Sequence, residues 1–155
     1  MDQELDAAAA WWADVLASPP GHQEAGDAVI NASRTLLGMI TYTPLREGQI
    51  ALFREALRAK IARELDIFGG AWCNVATDYG APIGTPLGDA LAAAGIVDAH
   101  GHIEDARLPI KTVMWLEPGR VTVARGRGAP VVQVWPRPER EEAGSAGHPY
   151  QAPPV

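Results

Sequence analysis

Apolar residues at helical spacing mark the first half of the chain. From Glu4 to Ala17 they recur every three or four positions, which predicts a helix with one buried stripe. A second helix is predicted from about Glu24 to Thr41. Thr43-Pro44 has the pattern of an N-cap followed by proline in the first turn, and it predicts the start of a third helix that Gly69-Gly70 ends. The inward positions of this third helix are Ile50, Phe53, Leu57, Ile61 and Leu65.

After the third helix, the spacing of apolar residues changes to the alternation that is typical of strands. Ala71–Thr77 is predicted as a strand and Asp78–Gly84 as a loop that is rich in glycine and proline. Thr85-Pro86 is a second N-cap with proline behind it. It opens a short helix, Leu87–Ala94, and Gly95 ends that helix.

The strongest strand pattern lies near the end of the chain. Val97 to Pro109 is a connection with little pattern. Thr112–Glu117 and Arg120–Arg125 alternate on either side of Pro118-Gly119, a dipeptide that favours a type II turn and therefore a hairpin. A second turn rich in glycine leads to a third strand of this meander, Val131–Trp135.

These elements predict an α+β fold for residues 1–135, a single domain in which N-terminal helices pack on a C-terminal antiparallel sheet, a β-meander. The helices should cover one face of the sheet and leave the other free for a ligand or a second subunit. Residues 136–155 are rich in Pro, Gly, Glu and Ala and have no apolar face, so they are predicted to form a disordered tail.

Composition places the chain among globular proteins. Hydrophobic residues make up 47% and charged residues 21%. No apolar run approaches the roughly 18 residues of a membrane span, and the amino end is acidic where a secretory signal would be basic. Cys73 is the single cysteine, so no intrachain disulfide can form. These features predict a cytoplasmic protein of a bacterial or phage-infected host cell, without a membrane partner.

The net charge of -6 is unevenly spread. Residues 1–99 hold 6 basic and 13 acidic side chains, whereas residues 100–135 hold 5 basic and 3 acidic ones. An acidic protein is not expected to bind long nucleic acid, but a locally positive segment can attract a small anionic ligand. The alternative is that this segment is a solvated strand face.

Within the basic segment, alternation places Lys111 and Trp115 on the same face of a strand. Such a pair could bind a phosphate and stack on a base; alternatively, Trp115 is a core residue and Lys111 a charge at the strand edge. Arg125 and Arg127 bring two guanidinium groups onto one tight turn, which suits phosphate or carboxylate. Solvated arginines at a hairpin tip explain the same pattern.

Asp78 and Tyr79 begin the loop between the first strand and the short helix, where free backbone N–H groups can hold an anion. The loop lacks the glycine spacing of a Walker or dinucleotide motif, and its composition also suits an ordinary turn. Trp11 and Trp12 point about 100° apart on a helix. Trp12 fits the buried stripe, which leaves Trp11 at a second interface, with another helix of the domain, a partner subunit or a ligand. An exposed tryptophan at this position would favour a homo-oligomer.

Catalytic and metal-binding patterns are weaker. His100 and His102 could approach one metal with help from Glu104 or Asp105, but a polar loop explains them equally well. Cys73 lies in the middle of a strand, where an inert thiol is expected. We therefore predict no metal, no cofactor and no catalytic residue. An enzyme is not excluded, and a small nucleotide hydrolase or transferase using Asp78, His22 or Lys111 stays open.

The chain from Leu5 to Trp135 resembles a group of small uncharacterised proteins carried by bacteria, prophages and phages, often in high-GC hosts. The resemblance rests on Trp11-Trp12-Ala13-Asp14, Asp78-Tyr79-Gly80, Ala92-Ala93-Ala94-Gly95-Ile96, Lys111-Thr112-x-Met114-Trp115, Gly128-Ala129-Pro130 and Trp135. Where that group has an Asp-Asn-Gly-Asp-like stretch, this chain has Glu24-Ala25-Gly26-Asp27, so the role of that stretch does not carry over.

The resemblance implies a counter-defence factor, either a protein inhibitor or a sponge that sequesters an immune signalling nucleotide. For a sponge, Lys111, Trp115, Arg125 and Arg127 would supply basic and stacking groups, and Asp78 with Tyr79 would contact a ribose or a base edge. The leading hypothesis is therefore a non-catalytic binding protein for a small anionic, nucleotide-like ligand. The alternative is a protein–protein inhibitor or adaptor that uses the acidic helical face.

Overall fold

The computed structural model describes residues 1–18 and 44–139. Within these ranges the chain forms three helices and four strands. They are α1 (Asp2–Ala17), α2 (Glu47–Ile67), β1 (Cys73–Ala76), α3 (Pro86–Ala93), β2 (Thr112–Glu117), β3 (Arg120–Arg125) and β4 (Val131–Trp135). The predicted helix from Glu24 to Thr41 lies outside the described residues, and so do residues 140–155 of the predicted tail.

The four strands form one antiparallel sheet in the order β1-β2-β3-β4. The predicted hairpin is confirmed: Glu117 pairs with Arg120, and Gly119 takes the positive φ of 82° that the turn requires. The predicted bounds of β4 are confirmed as well. β1 is shorter than predicted, since its ladder with β2 runs only from Cys73 to Ala76. The α+β class is therefore confirmed.

The helices pack on one face of the sheet, as predicted. Alternation along the strands directs one set of side chains into the core against α1, α2 and α3. This set comprises Cys73, Val75, Met114, Leu116, Val121 and Val123, and the helices contribute Trp12, Phe53, Leu57, Ile61, Leu87 and Leu91. The opposite face carries Asn74 on β1 and the half-buried Trp115 on β2. No helix in the described ranges is long and apolar enough to cross a membrane.

The predicted start of α2 is wrong. Thr43 lies outside the described residues, Pro44 precedes the helix, and Arg46 is the N-cap with an extended backbone at ψ 147°. The Gln49 Oε1 atom accepts a hydrogen bond from the Arg46 N–H at 3.1 Å. A side chain inside the first turn therefore sets the start of this helix, where a Thr-Pro pattern suggested an earlier one. Its predicted end at Gly69-Gly70 is confirmed.

The β2–β3 hairpin is tied to α1 by a buried carboxylate. Glu4 is only 5% exposed, and its Oε1 atom accepts the Gly119 N–H at 2.8 Å. This backbone hydrogen bond holds the pKa of Glu4 below its ordinary value, against the effect of burial. A hydrogen bond to the charged form links the first helix to the turn 115 residues away.

Replacing Glu4 by glutamine should lower the free energy of unfolding at pH 7 by about 1–2 kcal/mol, because a charge-assisted hydrogen bond becomes a neutral one. The pKa of Glu4 is lower in the folded protein than in the unfolded chain, where it is about 4.5. The charged carboxylate therefore stabilises the fold at pH values above 4.5, and this stabilisation is lost as the pH falls through the pKa of the folded protein. Urea titrations at pH 7 and pH 3 should therefore show the difference shrinking in acid. Glu117→Gln, on the exposed side of the same hairpin, is the control. A difference that does not depend on pH would contradict this role for Glu4.

Candidate functional site

The loop between β1 and α3 is held in place at both ends. At its start, the Thr77 hydroxyl donates to the Pro109 carbonyl at 2.5 Å and accepts from the Thr112 N–H at 3.2 Å. At its end, the Thr85 side chain caps α3 by accepting from the Gly88 N–H at 3.2 Å, which confirms the predicted cap. The loop therefore presents its exposed side chains from a fixed backbone.

A carboxylate from the connection before β2 fastens the middle of this loop. The Asp105 Oδ2 atom accepts the Ala81 N–H at 2.9 Å. Gly80 makes this approach possible, since a Cβ at that position would lie 3.0 Å from the Asp105 Cγ and overlap its oxygen. Asp105 is thus a positioning residue for the loop.

Lys111 lies one residue before β2 in a strained backbone conformation. Its φ of 49° is the one positive value at a non-glycine residue in the described part of the chain. The Lys111 N–H donates to the Asp78 carbonyl at 2.7 Å, and its ammonium group forms an ion pair with the Asp78 carboxylate. The same ammonium lies 4.5 Å from the centre of the Tyr79 ring, within cation–π range.

This geometry places Lys111 just outside the strand. β2 begins at Thr112, and the positive φ of Lys111 departs from strand geometry. The side chain of Lys111 contacts Asp78 and Tyr79, and its predicted pairing with Trp115 on one face stays a prediction. An isolated residue in the left-handed region costs about 1 kcal/mol or more. Such strain is often found where a side chain is held for a function.

Arg127 completes the group from the turn after β3. Its Nη2 atom donates to the Tyr79 hydroxyl oxygen at 3.2 Å. Asp78, Tyr79, Lys111 and Arg127, here called the Asp78 cluster, are thus joined by direct contacts, although they come from three separate parts of the chain. Two cations and one carboxylate give the cluster a net charge of +1 at neutral pH.

The Asp78 cluster is open to solvent. Tyr79 is 50% exposed, and the side chain of Asp78 is 72% exposed. Since Arg127 donates to the Tyr79 oxygen, the phenol keeps its own proton to donate to a ligand. The cluster therefore offers two cationic donors, a hydroxyl donor, an exposed ring and a carboxylate acceptor within one small area.

Two of the predicted ligand-binding residues lie elsewhere. Trp115 is half-buried on the outer face of the sheet, across from Asn74 and Thr122. Arg125 lies directly across from Thr112 on the face of β3 that is directed towards the helices. The structure thus brings together four of the six predicted residues, and Tyr79 is the aromatic residue among them.

Trp11 lies in a groove between α1 and β4. Trp12 is fully buried, as predicted. The two rings meet edge to face, with the ring centres 5.0 Å apart. The groove has a volume of about 390 Å³ and is lined by Ala7, Ala10, Trp11, Val132, Val134 and Trp135 among others. The predicted interface role of Trp11 stays a prediction.

Asp98 and Glu104, near the predicted metal-binding histidines, make contacts within the protein. Within residues 1–18 and 44–139, no group of three His, Cys, Asp or Glu side chains could hold a metal ion. Asp98 accepts the backbone N–H groups of His102 and His100, and these bonds hold its pKa below the ordinary value. Glu104 pairs with Arg107 at 2.6 Å.

Cys73 is 1% exposed, as its predicted position in a strand suggested. Burial, followed by the nearby Glu64 carboxylate, raises the pKa of its thiol to about 11. At neutral pH the thiol is therefore protonated and shielded from reagents.

No protein-family model matches the chain, and no curated protein matches it.

Proposed function

We propose that the protein is a non-catalytic binding protein for a small anionic, nucleotide-like ligand, and that the Asp78 cluster is its binding site. The observation that supports this proposal best is the convergence of two cations on Tyr79: Lys111 lies over the ring, and Arg127 contacts the hydroxyl oxygen. Paired cations beside an exposed aromatic ring combine phosphate binding with base stacking.

Each member of the cluster has a distinct role in this proposal. A phosphate lies between Lys111 and Arg127 and accepts hydrogen bonds from both cations and from the Tyr79 hydroxyl. The base stacks on the exposed part of the Tyr79 ring. Asp78 accepts a hydrogen bond from a ribose hydroxyl once the phosphate has taken over the ammonium group of Lys111.

The strained backbone at Lys111 supports the same proposal. The Lys111 N–H and its ammonium group both contact Asp78, so the side chain is oriented before a ligand arrives. A preorganised cation loses less conformational entropy on binding than a free surface lysine would. In the phage or prophage setting that the resemblance implies, such a site would sequester an immune signalling nucleotide and release it intact.

A nucleotide panel tests the site. Nucleoside mono-, di- and triphosphates and cyclic dinucleotides are screened by thermal shift, and those that bind are measured by calorimetry. We expect Arg127→Ala to weaken binding roughly 10- to 100-fold, since hydrogen bonds to charged groups contribute about 1.5–3 kcal/mol. Arg120→Ala, at an exposed arginine that pairs with Glu117 at the other end of β3, is the control and should bind normally. Equal affinities of the two variants would overturn the site.

The role of Asp78 can be separated from that of the cations. Asp78→Asn removes a negative charge beside Lys111, so the affinity for inorganic phosphate should rise. The same change replaces a carboxylate that accepts the ribose hydroxyl, so the ratio of nucleotide affinity to phosphate affinity should fall at least several-fold. An equal rise in the affinity for both ligands in calorimetry would show that Asp78 does not contact the ribose.

Chromatography of the recovered nucleotide distinguishes a binding protein from an enzyme, because a changed product would indicate turnover.

A further inference from the structure

A pair of exposed aromatic residues marks the C-terminal end of α2. Phe68 and Trp72 stack with ring centres 5.8 Å apart and an angle of 18° between the ring planes. Both are about half exposed, at 52% and 51%. Gly69 and Gly70 have φ values of 73° and 76°, and these left-handed conformations turn the chain back so that the two rings meet. Two glycines thus hold an apolar platform at the surface.

The same end of α2 carries negative charge. Glu64 and Asp66 lie near the helix C-terminus, where the helix dipole already favours cations, and the last turn contains no basic residue. Glu64 lines the same groove as Asn74 and Ala76, so its charge lies close to β1. Negative charge in this position is unfavourable for the isolated helix, and a cationic partner would compensate for it.

β1 is an edge strand of the sheet and lies beside the platform. The Thr77 N–H donates to the Thr112 carbonyl of the neighbouring segment at 2.9 Å. Since backbone groups alternate in direction along an antiparallel strand, those of Val75 also face β2. The backbone groups of Asn74 and Ala76 therefore face the edge of the sheet that no strand of residues 1–18 and 44–139 covers, where an added strand could pair with them.

These features meet in one groove, here called the β1-edge groove. It has a volume of about 380 Å³, and its lining includes Glu64, Phe68, Trp72, Asn74, Ala76 and Thr85. We propose that the β1-edge groove binds an extended protein segment that carries arginine or lysine side chains. The segment pairs with the edge of β1, stacks a cationic side chain on Trp72 and forms an ion pair with Glu64.

The negative charge of the β1-edge groove favours a cationic segment. Glu64 is the one charged residue among those that line the groove in the described part of the chain, so an acidic segment would be repelled. Arginine suits the site particularly well, because its planar guanidinium group stacks on an indole and pairs with a carboxylate at the same time. No member of the Asp78 cluster lines the groove, so this proposal does not depend on the nucleotide site.

Short peptides test the groove on the full-length protein. The probe is a capped ten-residue peptide of alternating arginine and threonine, and the comparison peptide has glutamate in place of arginine. We expect the arginine peptide to bind, the glutamate peptide not to bind, and binding to weaken as salt is added. A third peptide with prolines in place of threonines lacks the backbone N–H of every second residue and cannot form a regular strand ladder, so it should bind at least fivefold more weakly if strand pairing contributes.

Variants at two positions of the groove locate the site. Trp72→Ala and Glu64→Gln should each weaken binding of the arginine peptide roughly two- to fivefold in calorimetry, because each removes one charge-dependent contact. Leu52→Ala and Glu55→Gln remove an exposed apolar side chain and an exposed carboxylate of α2 that do not line the groove, and both variants should bind normally. In the complex, the backbone amides of Asn74 and Ala76 should exchange with solvent more slowly in NMR measurements, a change that a purely electrostatic surface contact would not produce.

The proposal fails if the arginine peptide does not bind, if the glutamate peptide binds equally well, or if both groove variants bind like their controls. It also fails if the wild-type protein forms a dimer that Trp72→Ala abolishes, because the groove would then be an interface between two copies of this chain. Sedimentation of the wild type and Trp72→Ala distinguishes these cases.

Discussion

Gly88→Ala should destabilise the protein by about 3 kcal/mol or more, a large effect for the addition of one methyl group. A Cβ at Gly88 would lie 2.6 Å from the Ala81 oxygen and still closer to the carbonyl group of Pro82. These are backbone atoms, so the strain cannot be relieved by rotating a side chain. The Pro82 oxygen also accepts the Thr85 hydroxyl at 2.6 Å, so a shift of this carbonyl would break the N-cap of α3 as well.

Gly48→Ala is the matched control for this prediction. Gly48 is also a helical glycine, but a Cβ there meets no atom within 4 Å. Alanine should therefore stabilise α2 by about 0.5–1 kcal/mol through its higher helix propensity. Urea denaturation followed by circular dichroism measures both variants. A Gly88→Ala protein within about 1 kcal/mol of the wild type would show that the loop moves aside easily, and the Asp78 cluster would then lack a fixed support.

Lys111→Ala should weaken nucleotide binding roughly 10- to 100-fold and leave the fold intact. The ammonium group is the cation that contacts both Asp78 and Tyr79, so its loss removes the link between the carboxylate and the ring. The ion pair itself is partly exposed, so its removal should change the free energy of unfolding by less than about 1 kcal/mol. Calorimetry and thermal unfolding measure the two effects separately.

A comparison of Lys111→Gly with Lys111→Ala separates the effect of the missing ammonium group from the effect of backbone strain. Both variants lack the ammonium group, but only glycine accepts a φ of 49° without strain. The glycine variant should therefore be more stable than the alanine variant by about 1 kcal/mol and should bind equally weakly. If glycine restored binding, the strained backbone and not the cation would be responsible for it.

Local sequence patterns predicted most of the fold. The Pro118-Gly119 turn, the strands on either side of it and the Thr85-Pro86 cap depend on interactions between near neighbours, and the structure confirms each of them. The start of α2 was missed because Gln49, inside the helix, supplies the hydrogen bond that fixes the first turn. A Thr-Pro pair permits a helix start but does not require one.

The candidate site was harder to predict from the sequence than the fold was. Lys111 appeared to belong to a strand face, because alternation cannot reveal a positive φ at a single lysine. Asp105 and Thr77 hold the loop through contacts 24 and 32 residues apart, and no local pattern encodes such distances. One sequence pattern indicates the stacked pair at the end of α2: two aromatic residues lie on either side of the Gly-Gly that ends the helix.

A native mass spectrum of the freshly purified protein tests the proposed nucleotide binding most directly. We expect a species with an added mass that matches a nucleotide, released unchanged on denaturation and absent from the Lys111→Ala protein. A bare protein whose mass no nucleotide in the panel shifts would contradict the proposed function.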